Sequence, residues 1–233
     1  MVEKKIHDPD LGDVTVRIST RAVHMRLQVL KGVVIATLPQ WGNIDRLIDF
    51  IQLNKDRLRA SLAKYPAPPL ITENTEMKTV SFSLHVFCTD RDHFYMSLEN
   101  NVLNIACPAK TNFADSRVQA LLRKWIEKIL RYEATRLLPE RLNALALTNH
   151  FSFSSVKINK SSTRWGSCTA RKGINLSLSL MLLPWPLIDY VLLHELCHTV
   201  EMNHGPRFWK LLDKVTNEQS QNLRRELKRY HTF

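Results

Sequence analysis

Three histidines and one glutamate near the carboxyl end of the sequence have a spacing that could bind a metal ion. Residues 194 to 204 read His-Glu-Leu-Cys-His-Thr-Val-Glu-Met-Asn-His. In an α-helix, His194 and His198 lie one above the other on the same face, so their imidazoles can converge on one cation. Glu195 projects about 100° further round the helix, beside the cation and outside its ligand set. The spacing therefore predicts a metal centre with a carboxylate next to it.

The third metal ligand is expected to be His204. A catalytic zinc ion needs three protein ligands and one open position, and His204 can reach it if the chain leaves the helix at residues 202 and 203 and turns back. Gly205 and Pro206 favour this path, because glycine tolerates unusual φ and proline is common at the first position of a helix. Glu195 could then hold a water molecule and take its proton, which is the chemistry that this spacing indicates in zinc proteases. We expect one Zn²⁺ per chain.

The residues around the motif indicate that its helix is buried. Apolar side chains surround the histidines on the expected helix: Leu187, Ile188, Val191, Leu192, Leu193, Leu196 and Val200. Ionisable groups on such a helix need a partner, and a metal ion provides one. The alternative is a helix whose histidines are satisfied by hydrogen bonds, which leaves their spacing unexplained.

Chain length and composition narrow the class of protein. The 233 residues can bury a substantial core, as one large domain or two small ones. The first residues lack the apolar core of a signal peptide, and the longest apolar stretch, 176–193, is broken by Pro184, Pro186 and Asp189, so we expect no membrane span. The four cysteines, Cys88, Cys107, Cys168 and Cys197, form no C-x-x-C pair. We therefore expect reduced thiols in a cytoplasmic protein.

Positive charge is concentrated in the half of the chain that carries the motif. The net charge is +11, and residues 111–233 contribute +9 of it, from 19 Lys and Arg against 10 Asp and Glu. Two interpretations compete: a surface for nucleic acid or another acidic partner, and the solvated outer faces of helices. Between residues 121 and 141 the basic residues alternate with apolar ones, which favours solvated faces. The run Arg224, Arg225, Lys228 and Arg229 is the better candidate patch, although it also suits the last turn of a helix.

The first part of the sequence predicts strands followed by a helix. Alternating apolar and polar residues indicate strands at 14–18, 23–29 and 33–38, the last two joined as a hairpin through residues 30–32. Asn43 then caps an amphipathic helix that extends to about Ala63. The proline-rich residues 65–69 end this helix and indicate a short, stiff connector.

The rest of the sequence predicts an α+β fold. We expect strands at 78–88 and 93–105 with a turn at 99–101, a helical region at 115–146 with Pro139 as its candidate break, and strands at 153–159 and 173–180 that close the sheet. A mixed or antiparallel sheet then packs against the motif helix, after a small β-rich amino-terminal part. The expected boundaries are 1–65 for that part and 70–233 for the second, with a motif core at 157–212. A single continuous domain is the alternative.

Four segments taken together resemble the YgjP-like metallopeptidase family. They are Thr163-Arg164-Trp165-Gly166-Ser167-Cys168, Ile174-Asn175-Leu176, the H-E-x-x-H motif itself and residues 202–209. The resemblance is strongest over about 157–212. It implies a zincin-like fold related to the SprT-like and WLM-type proteases, and a zinc-dependent peptidase that acts on protein or peptide substrates in the bacterial cytoplasm. It also implies that His194, His198 and His204 bind zinc and that Glu195 is the catalytic carboxylate. The spacing to His204 is also that of the metzincins, but Glu201 stands where their glycine is expected.

The sequence gives weaker indications of the groups that contact the substrate. Arg164, Tyr190 and Tyr230 could stabilise an oxyanion, but Tyr190 also suits the core and Arg164 could simply pair with a carboxylate. Residues 165–168 predict a bend at which Gly166 allows close backbone approach, either of an extended substrate along a sheet edge or within a structural corner.

A nucleic-acid-associated protein is the alternative function class. It would be either a protease recruited to DNA-bound proteins, as the relatives suggest, or a binding module with a structural zinc ion. A structural site normally has four protein ligands, whereas the motif supplies three.

Overall fold

The structure is a computed structural model that describes residues 2–30, 32–64, 68–161 and 163–230. The chain divides into two compact units, Met1–Pro69 and Leu70–Phe233, each with its own core of buried apolar side chains. Residue 31 of the expected hairpin turn and residues 65–67 of the expected connector lie outside the described residues.

The first unit contains a four-stranded mixed sheet. Its strands are β1 (Val2–Asp8), β2 (Gly12–Ser19), β3 (Arg26–Leu30) and β4 (Val33–Pro39), in the order β1-β2-β4-β3. The central strands β2 and β4 run parallel, and each pairs with its outer neighbour in the antiparallel direction. The sequence predicted β2 and the β3–β4 hairpin. It did not predict β1, whose residues are mostly charged and give little alternation.

Two helices follow this sheet where one was expected. Helix α1 (Ile44–Leu53) is capped as predicted by Asn43, whose side chain accepts a hydrogen bond from the Asp45 amide at 2.6 Å. The helix ends at Asn54, and α2 (Lys55–Lys64) begins directly after it. The Asn54 side chain donates a hydrogen bond to the Phe50 carbonyl at 2.8 Å and thereby competes with the helical backbone pattern.

The second unit begins with a three-stranded sheet of order β5-β7-β6. Its strands are β5 (Ser83–Thr89), β6 (Tyr95–Glu99) and β7 (Val102–Pro108), with β5 parallel and β6 antiparallel to β7. Asn100 and Asn101 have φ of 51° and 61°, as a tight hairpin turn requires, so the predicted turn is confirmed. The strand expected from residue 78 starts only at Ser83, and Lys78 contributes an isolated bridge to it.

One long helix, α3 (Ser116–Thr148), crosses the second unit. It continues through Pro139, so the break expected there is absent. A stripe of buried side chains repeats along one face at every fourth residue, namely Leu122, Ile126, Leu130, Ala134, Leu138 and Leu142. Burial of each large side chain in this stripe stabilises the fold by about 1.5–3 kcal/mol, which compensates for the hydrogen bond that a proline removes. The stripe packs against helix α4 (Trp185–Cys197) and a short 3-10 helix, Leu178–Leu182.

The remaining strands of the second unit form a separate sheet next to the motif helix. They are β8 (Ser155–Asn159), β9 (Gly166–Cys168) and β10 (Gly173–Ser177), in the order β8-β10-β9. The prediction that they close one sheet with the earlier strands is therefore wrong. The strand expected to reach residue 180 ends at Ser177, whose hydroxyl accepts a hydrogen bond from the Ser179 amide and caps the 3-10 helix. Strand β9 packs on α4, and helices α5 (Pro206–Val215) and α6 (Ser220–Leu227) complete an α+β fold.

The cysteines are unpaired, as the sequence predicted: Cys88, Cys107, Cys168 and Cys197 are all free. Within the described ranges, no helix combines the length and apolarity that crossing a membrane would require.

Candidate metal centre and active site

Helix α4 carries the first two histidines of the motif. It begins at Trp185, with Pro184 as its N-cap and Pro186 in its first turn, where the fixed φ of proline is favourable. Apolar packing on almost every side holds it in the core. The His198 amide donates a hydrogen bond to the His194 carbonyl at 3.2 Å. The two imidazoles therefore lie one helical turn apart on the same face, as the spacing predicted.

The chain leaves the helix earlier than the sequence indicated. Helix α4 ends at Cys197 with His198 as its C-cap, and not at residues 202 and 203. The amides of Thr199 and Val200 donate to carbonyls of the last helical turn at 2.9 and 3.0 Å. These bonds make a tight turn, which leaves enough chain for His204 to come back to the other two histidines.

Helix α5 starts directly after His204, as predicted, with Gly205 as its N-cap and Pro206 as its first residue. The φ of Gly205 is −78°, and a Cβ atom there would meet nothing within 4 Å. The expectation that this glycine supplies an unusual φ is therefore wrong.

The three histidines converge on one point through their Nε2 atoms. The Nε2–Nε2 distances are 3.2 Å from His198 to His194, 3.1 Å from His198 to His204 and 3.0 Å from His204 to His194. Three nitrogens bound to one zinc ion in tetrahedral geometry would lie roughly 3.3 Å apart. Among the described residues, these three form the group that could hold a metal ion, and their geometry fits zinc.

A hydrogen bond to the backbone sets the tautomer of His198. Its Nδ1 atom lies 3.1 Å from the Glu201 carbonyl oxygen, which can only accept. The proton is therefore on Nδ1, and the lone pair of Nε2 points at the shared centre. Such a partner for the second ring nitrogen is typical of metal-binding histidines.

Burial favours the neutral form, which metal binding requires, at two of the histidines, His194 and His198. It lowers the pKa of His194 to about 3, and His198, His204 and Arg224 act in the same direction. Burial also lowers the pKa of His198, although its contacts with the backbone of Glu201 and Met202 oppose the shift. A neutral imidazole offers its lone pair to a cation without first releasing a proton.

Phe208 forms the base on which all three imidazoles rest. Its ring is completely buried, and its centroid lies 4.9, 4.5 and 4.7 Å from those of His194, His198 and His204. It stands one turn after His204 on α5 and fixes the positions of rings that come from both α4 and the turn. The sequence analysis did not identify this role, although an apolar residue one turn from a ligand was a usable signal.

Glu195 follows His194 on α4 and is almost fully buried. The residue is 4% exposed, and its Oε2 atom has no hydrogen-bond partner among the described residues. Burial raises the pKa of this carboxyl to about 8. An unpartnered carboxylate oxygen next to a metal-binding group is the expected position for a residue that holds and deprotonates water.

Strand β9 approaches Glu195 at Gly166. A Cβ atom on Gly166 would lie 2.7 Å from Oε1 of Glu195 and 2.8 Å from its Cγ, closer than real Cβ contacts allow. The sequence predicted a close approach of backbone at Gly166. In the structure, the group that approaches this glycine closely is the Glu195 side chain. Residues 166–168 form a strand at the edge of the sheet, and not only a bend.

The structure distinguishes two of the three candidate oxyanion contacts, Tyr190 and Arg164, and the third, Tyr230, is exposed at the end of the described residues. Tyr190 is buried on α4 with its ring centroid 6.1 Å from that of His194, and burial raises the pKa of its hydroxyl. Arg164 is exposed before β9, and its side chain forms no ion pair with the described residues. Tyr190 is thus next to the histidines, whereas no contact connects Arg164 with them.

Trp209 and Arg224 also lie at the site, and the sequence analysis assigned no role to them there. The indole Nε1 of Trp209 donates a hydrogen bond to the His204 carbonyl at 3.0 Å. The guanidinium carbon of Arg224 lies 4.9 Å from the centroid of the Trp209 ring. No local sequence signal links Arg224 with the motif, because α6 brings it there through the tertiary fold.

Comparison with known proteins agrees with this site. A family model described as YgjP-like, metallopeptidase domain matches residues 23–230. Among solved structures, the chain is similar to the crystal structure of the metallopeptidase zymogen of Pyrococcus abyssi abylysin, with 18% identity, a TM-score of 0.36, and coverage of 40% of this chain and 94% of that one. That similarity is too low to support an argument. No curated protein matches. The family match covers most of the chain, which therefore belongs to the YgjP-like metallopeptidase family.

Proposed function

We propose that this protein is a zinc-dependent metallopeptidase that hydrolyses peptide bonds in protein or peptide substrates. The observation that carries the proposal is the convergence of three Nε2 atoms within 3.2 Å of one another, beside a buried carboxylate. His194, His198 and His204 would hold one zinc ion. Zinc bound there would supply Lewis acidity, which lowers the pKa of a water molecule, polarises a carbonyl group and favours the ionised form of a nearby carboxylate.

Glu195 would move the proton in this reaction. Its unpartnered Oε2 can accept a proton from the attacking water and later deliver it to the leaving nitrogen. Gly166 leaves room for this carboxylate, and packing against β9 keeps it in one position. Tyr190 remains a candidate donor to the oxyanion, because its ring lies next to that of His194.

An extended substrate could bind along β9. Among the described strands, β9 pairs only with β10, so no described strand occupies its other edge. A peptide that adds to this edge would form backbone hydrogen bonds, which favour extended segments whatever their side chains. The Glu195 carboxylate lies directly against the same strand.

The structure offers less support for a nucleic-acid surface. The exposed Tyr132 of α3 lies in a shallow groove with Lys128, Arg131 and Arg136. However, Arg131 pairs with Glu127 and Arg136 with Glu133, so part of this charge is balanced within the helix. We therefore do not propose nucleic-acid binding. The cytoplasmic location also stays a prediction from the sequence.

The experiment that tests the proposal compares Glu195→Gln with the wild type for zinc content and peptide hydrolysis. We expect one zinc ion per chain in both proteins and a loss of about 10²–10⁴-fold in kcat/KM for the variant, because only the proton transfer is removed. Glu201→Gln is the matched control, since its side chain is partly exposed and only its backbone contacts His198. Equal hydrolysis by Glu195→Gln would refute the role of Glu195. Failure of the wild type to bind zinc would refute the proposal as a whole.

A further inference from the structure

A cation that carries no role in the proposed reaction lies beside the histidine cluster. Arg224 is exposed on α6, and its guanidinium carbon stands 4.9 Å from the centroid of the Trp209 ring. This cation–π contact gives a long, flexible side chain a defined position. Its neighbours Leu223 and Leu227 pack against the core, and α6 packs on α4, so the helix itself is held next to the site.

Trp209 connects this arginine with the metal-binding group. Its indole donates to the carbonyl of His204 at 3.0 Å, and its ring lies 5.9 Å from the His204 ring at an angle of 31°. Arg224 and His204 thus both contact the indole of Trp209. The distance between them is therefore within the reach of one bound peptide.

Arg224 forms no ion pair with a carboxylate of the residues that the structure describes. Among the described residues, no Asp or Glu lies within ion-pair distance of its guanidinium, whereas Arg141 pairs with Asp189 and Arg207 approaches Glu201 at 3.9 Å. An arginine carries five donors in a rigid fork that matches the geometry of a carboxylate. Arg224 thus presents unused donors next to the site.

We propose that Arg224 binds a carboxylate of the substrate and makes this enzyme selective for peptides that carry a negative charge close to the cleaved bond. The proposal rests on the peptidase function proposed above. An extended peptide advances about 3.3–3.6 Å per residue, so a carboxylate within about three residues of the cleaved bond could reach Arg224. That carboxylate is either the side chain of Asp or Glu or the carboxyl terminus of the peptide.

The electrostatics of the site agree with this selectivity. A divalent cation held by the three imidazoles would bring two positive charges that these uncharged ligands do not compensate, and Glu195 in its ionised form would supply one negative charge. Arg224 adds a positive charge that is close enough to act on His194 and that attracts anionic peptides, and Asp213, which acts on Tyr190 in the opposite direction to Arg224, balances part of it. A neutral peptide would leave the guanidinium with no partner other than water and the indole.

The test measures the binding of peptides to a variant that is expected not to cleave them. A randomised heptapeptide library is applied to immobilised, zinc-loaded Glu195→Gln protein in three forms: with free carboxyl termini, with amidated termini, and with Asp and Glu replaced by Asn and Gln. Captured peptides are counted by mass spectrometry. We expect carboxylate-bearing peptides to be enriched about tenfold or more over their neutral counterparts, as a charge-assisted hydrogen-bonded pair implies. Loss of enrichment on amidation identifies the terminal carboxylate, and loss on replacement of Asp and Glu identifies an acidic side chain.

Variants of α6 assign the effect to Arg224. Arg224→Gln should remove the enrichment and keep one zinc ion per chain, and Arg224→Lys, which keeps the charge without the fork, should retain only part of it. Arg225→Gln is the matched control, with the same charge change at the next residue, whose side chain bonds to Asn222. Equal capture of acidic and neutral peptides, or enrichment that survives in Arg224→Gln, would overturn the proposal. So would loss of zinc from both Arg224 variants, because the residue would then be structural.

The binding assay separates this inference from the function on which it rests. Enrichment that depends on Arg224, without hydrolysis by the zinc-loaded wild type, would leave the carboxylate site standing and refute the peptidase. Peptide hydrolysis by the wild type without enrichment that depends on Arg224 would support the peptidase and refute the carboxylate site.

Discussion

At the residue scale, the contact between Gly166 and Glu195 makes a prediction that the motif alone does not. Gly166→Ala would place a methyl group 2.7 Å from Oε1 of Glu195, so the carboxylate has to move. A displacement of about 1 Å can cost about 10²-fold in rate. We expect kcat/KM to fall by about that factor while zinc content stays at one per chain, because the three atoms nearest to the added methyl group all belong to Glu195, which is not a proposed zinc ligand. Peptide hydrolysis and metal analysis of the purified variant provide the measurement.

Gly205→Ala is the control for this substitution. Gly205 precedes the first residue of α5, has an ordinary φ, and has open space where a Cβ would lie. We expect activity close to that of the wild type and a loss of stability of no more than about 1 kcal/mol from the poorer cap. If both glycine variants lose activity equally, the contact with Glu195 is not the cause.

The same residues show how far local sequence reasoning extends. The positions of His194, Glu195 and His198 follow from helix periodicity, which is a local property. The need for a glycine at 166 and the position of Arg224 depend on contacts between elements that are distant along the chain. A motif therefore predicts which residues meet on one helix, but not which residues the fold brings to them.

At the scale of elements, helix α5 contacts the three candidate metal ligands through Phe208. Phe208→Ala would remove the ring that contacts all three imidazoles and leave a cavity in the core. We expect zinc affinity to fall by about 10–100-fold, as for other residues that orient ligands, and stability to fall by about 3–5 kcal/mol. Competition with a chromophoric chelator measures the affinity, and urea denaturation measures the stability.

Phe208→Leu separates the two effects. Leucine keeps most of the apolar volume but lacks the flat ring on which His198 stacks at 27°. We expect this variant to retain most of the stability and to bind zinc less tightly than the wild type. Unchanged zinc affinity in both variants would show that α4 and the turn position the ligands without α5.

The predictions of individual helices and turns were wrong where local sequence preferences and long-range packing favour different structures. The Asn43 cap and the turn at Asn100 and Asn101 were predicted correctly, because each depends on a few adjacent residues. Pro139 was expected to interrupt α3, but its buried stripe of apolar residues holds the helix together across the proline. Periodicity states which face of a helix is buried and gives no measure of how strongly the core holds it.

At the scale of the whole molecule, the division of strands among sheets was the least predictable feature. The alternation of apolar residues located most strands and supported the α+β class. It did not show that the strands of the second unit form two separate sheets, since pairing partners are chosen by the tertiary fold. Three of the four segments that carry the family resemblance, residues 163–168, 174–176 and the motif, lie in or next to one of these sheets and the helix packed on it.

Because all three proposed zinc ligands belong to the second unit, zinc should stabilise that unit selectively. His194, His198 and His204 lie in Leu70–Phe233, and the first unit has a core of its own that contains Val14, Val34 and Leu47. A ligand that binds only the folded state stabilises it by about 4 kcal/mol when its free concentration is 1,000 times its Kd. We therefore expect chelation of zinc to speed amide hydrogen exchange in α4 and α5 by up to about 1,000-fold and to leave exchange in β2 and β4 unchanged.

Mass spectrometry of peptides from the full chain, with and without chelator, measures hydrogen exchange of both units in one sample. The variant His204→Ala should show the fast exchange of α4 without any chelator. An equal increase in both units would mean that they unfold together. An unchanged α4 would mean that zinc contributes nothing to the stability of the helix that carries its ligands.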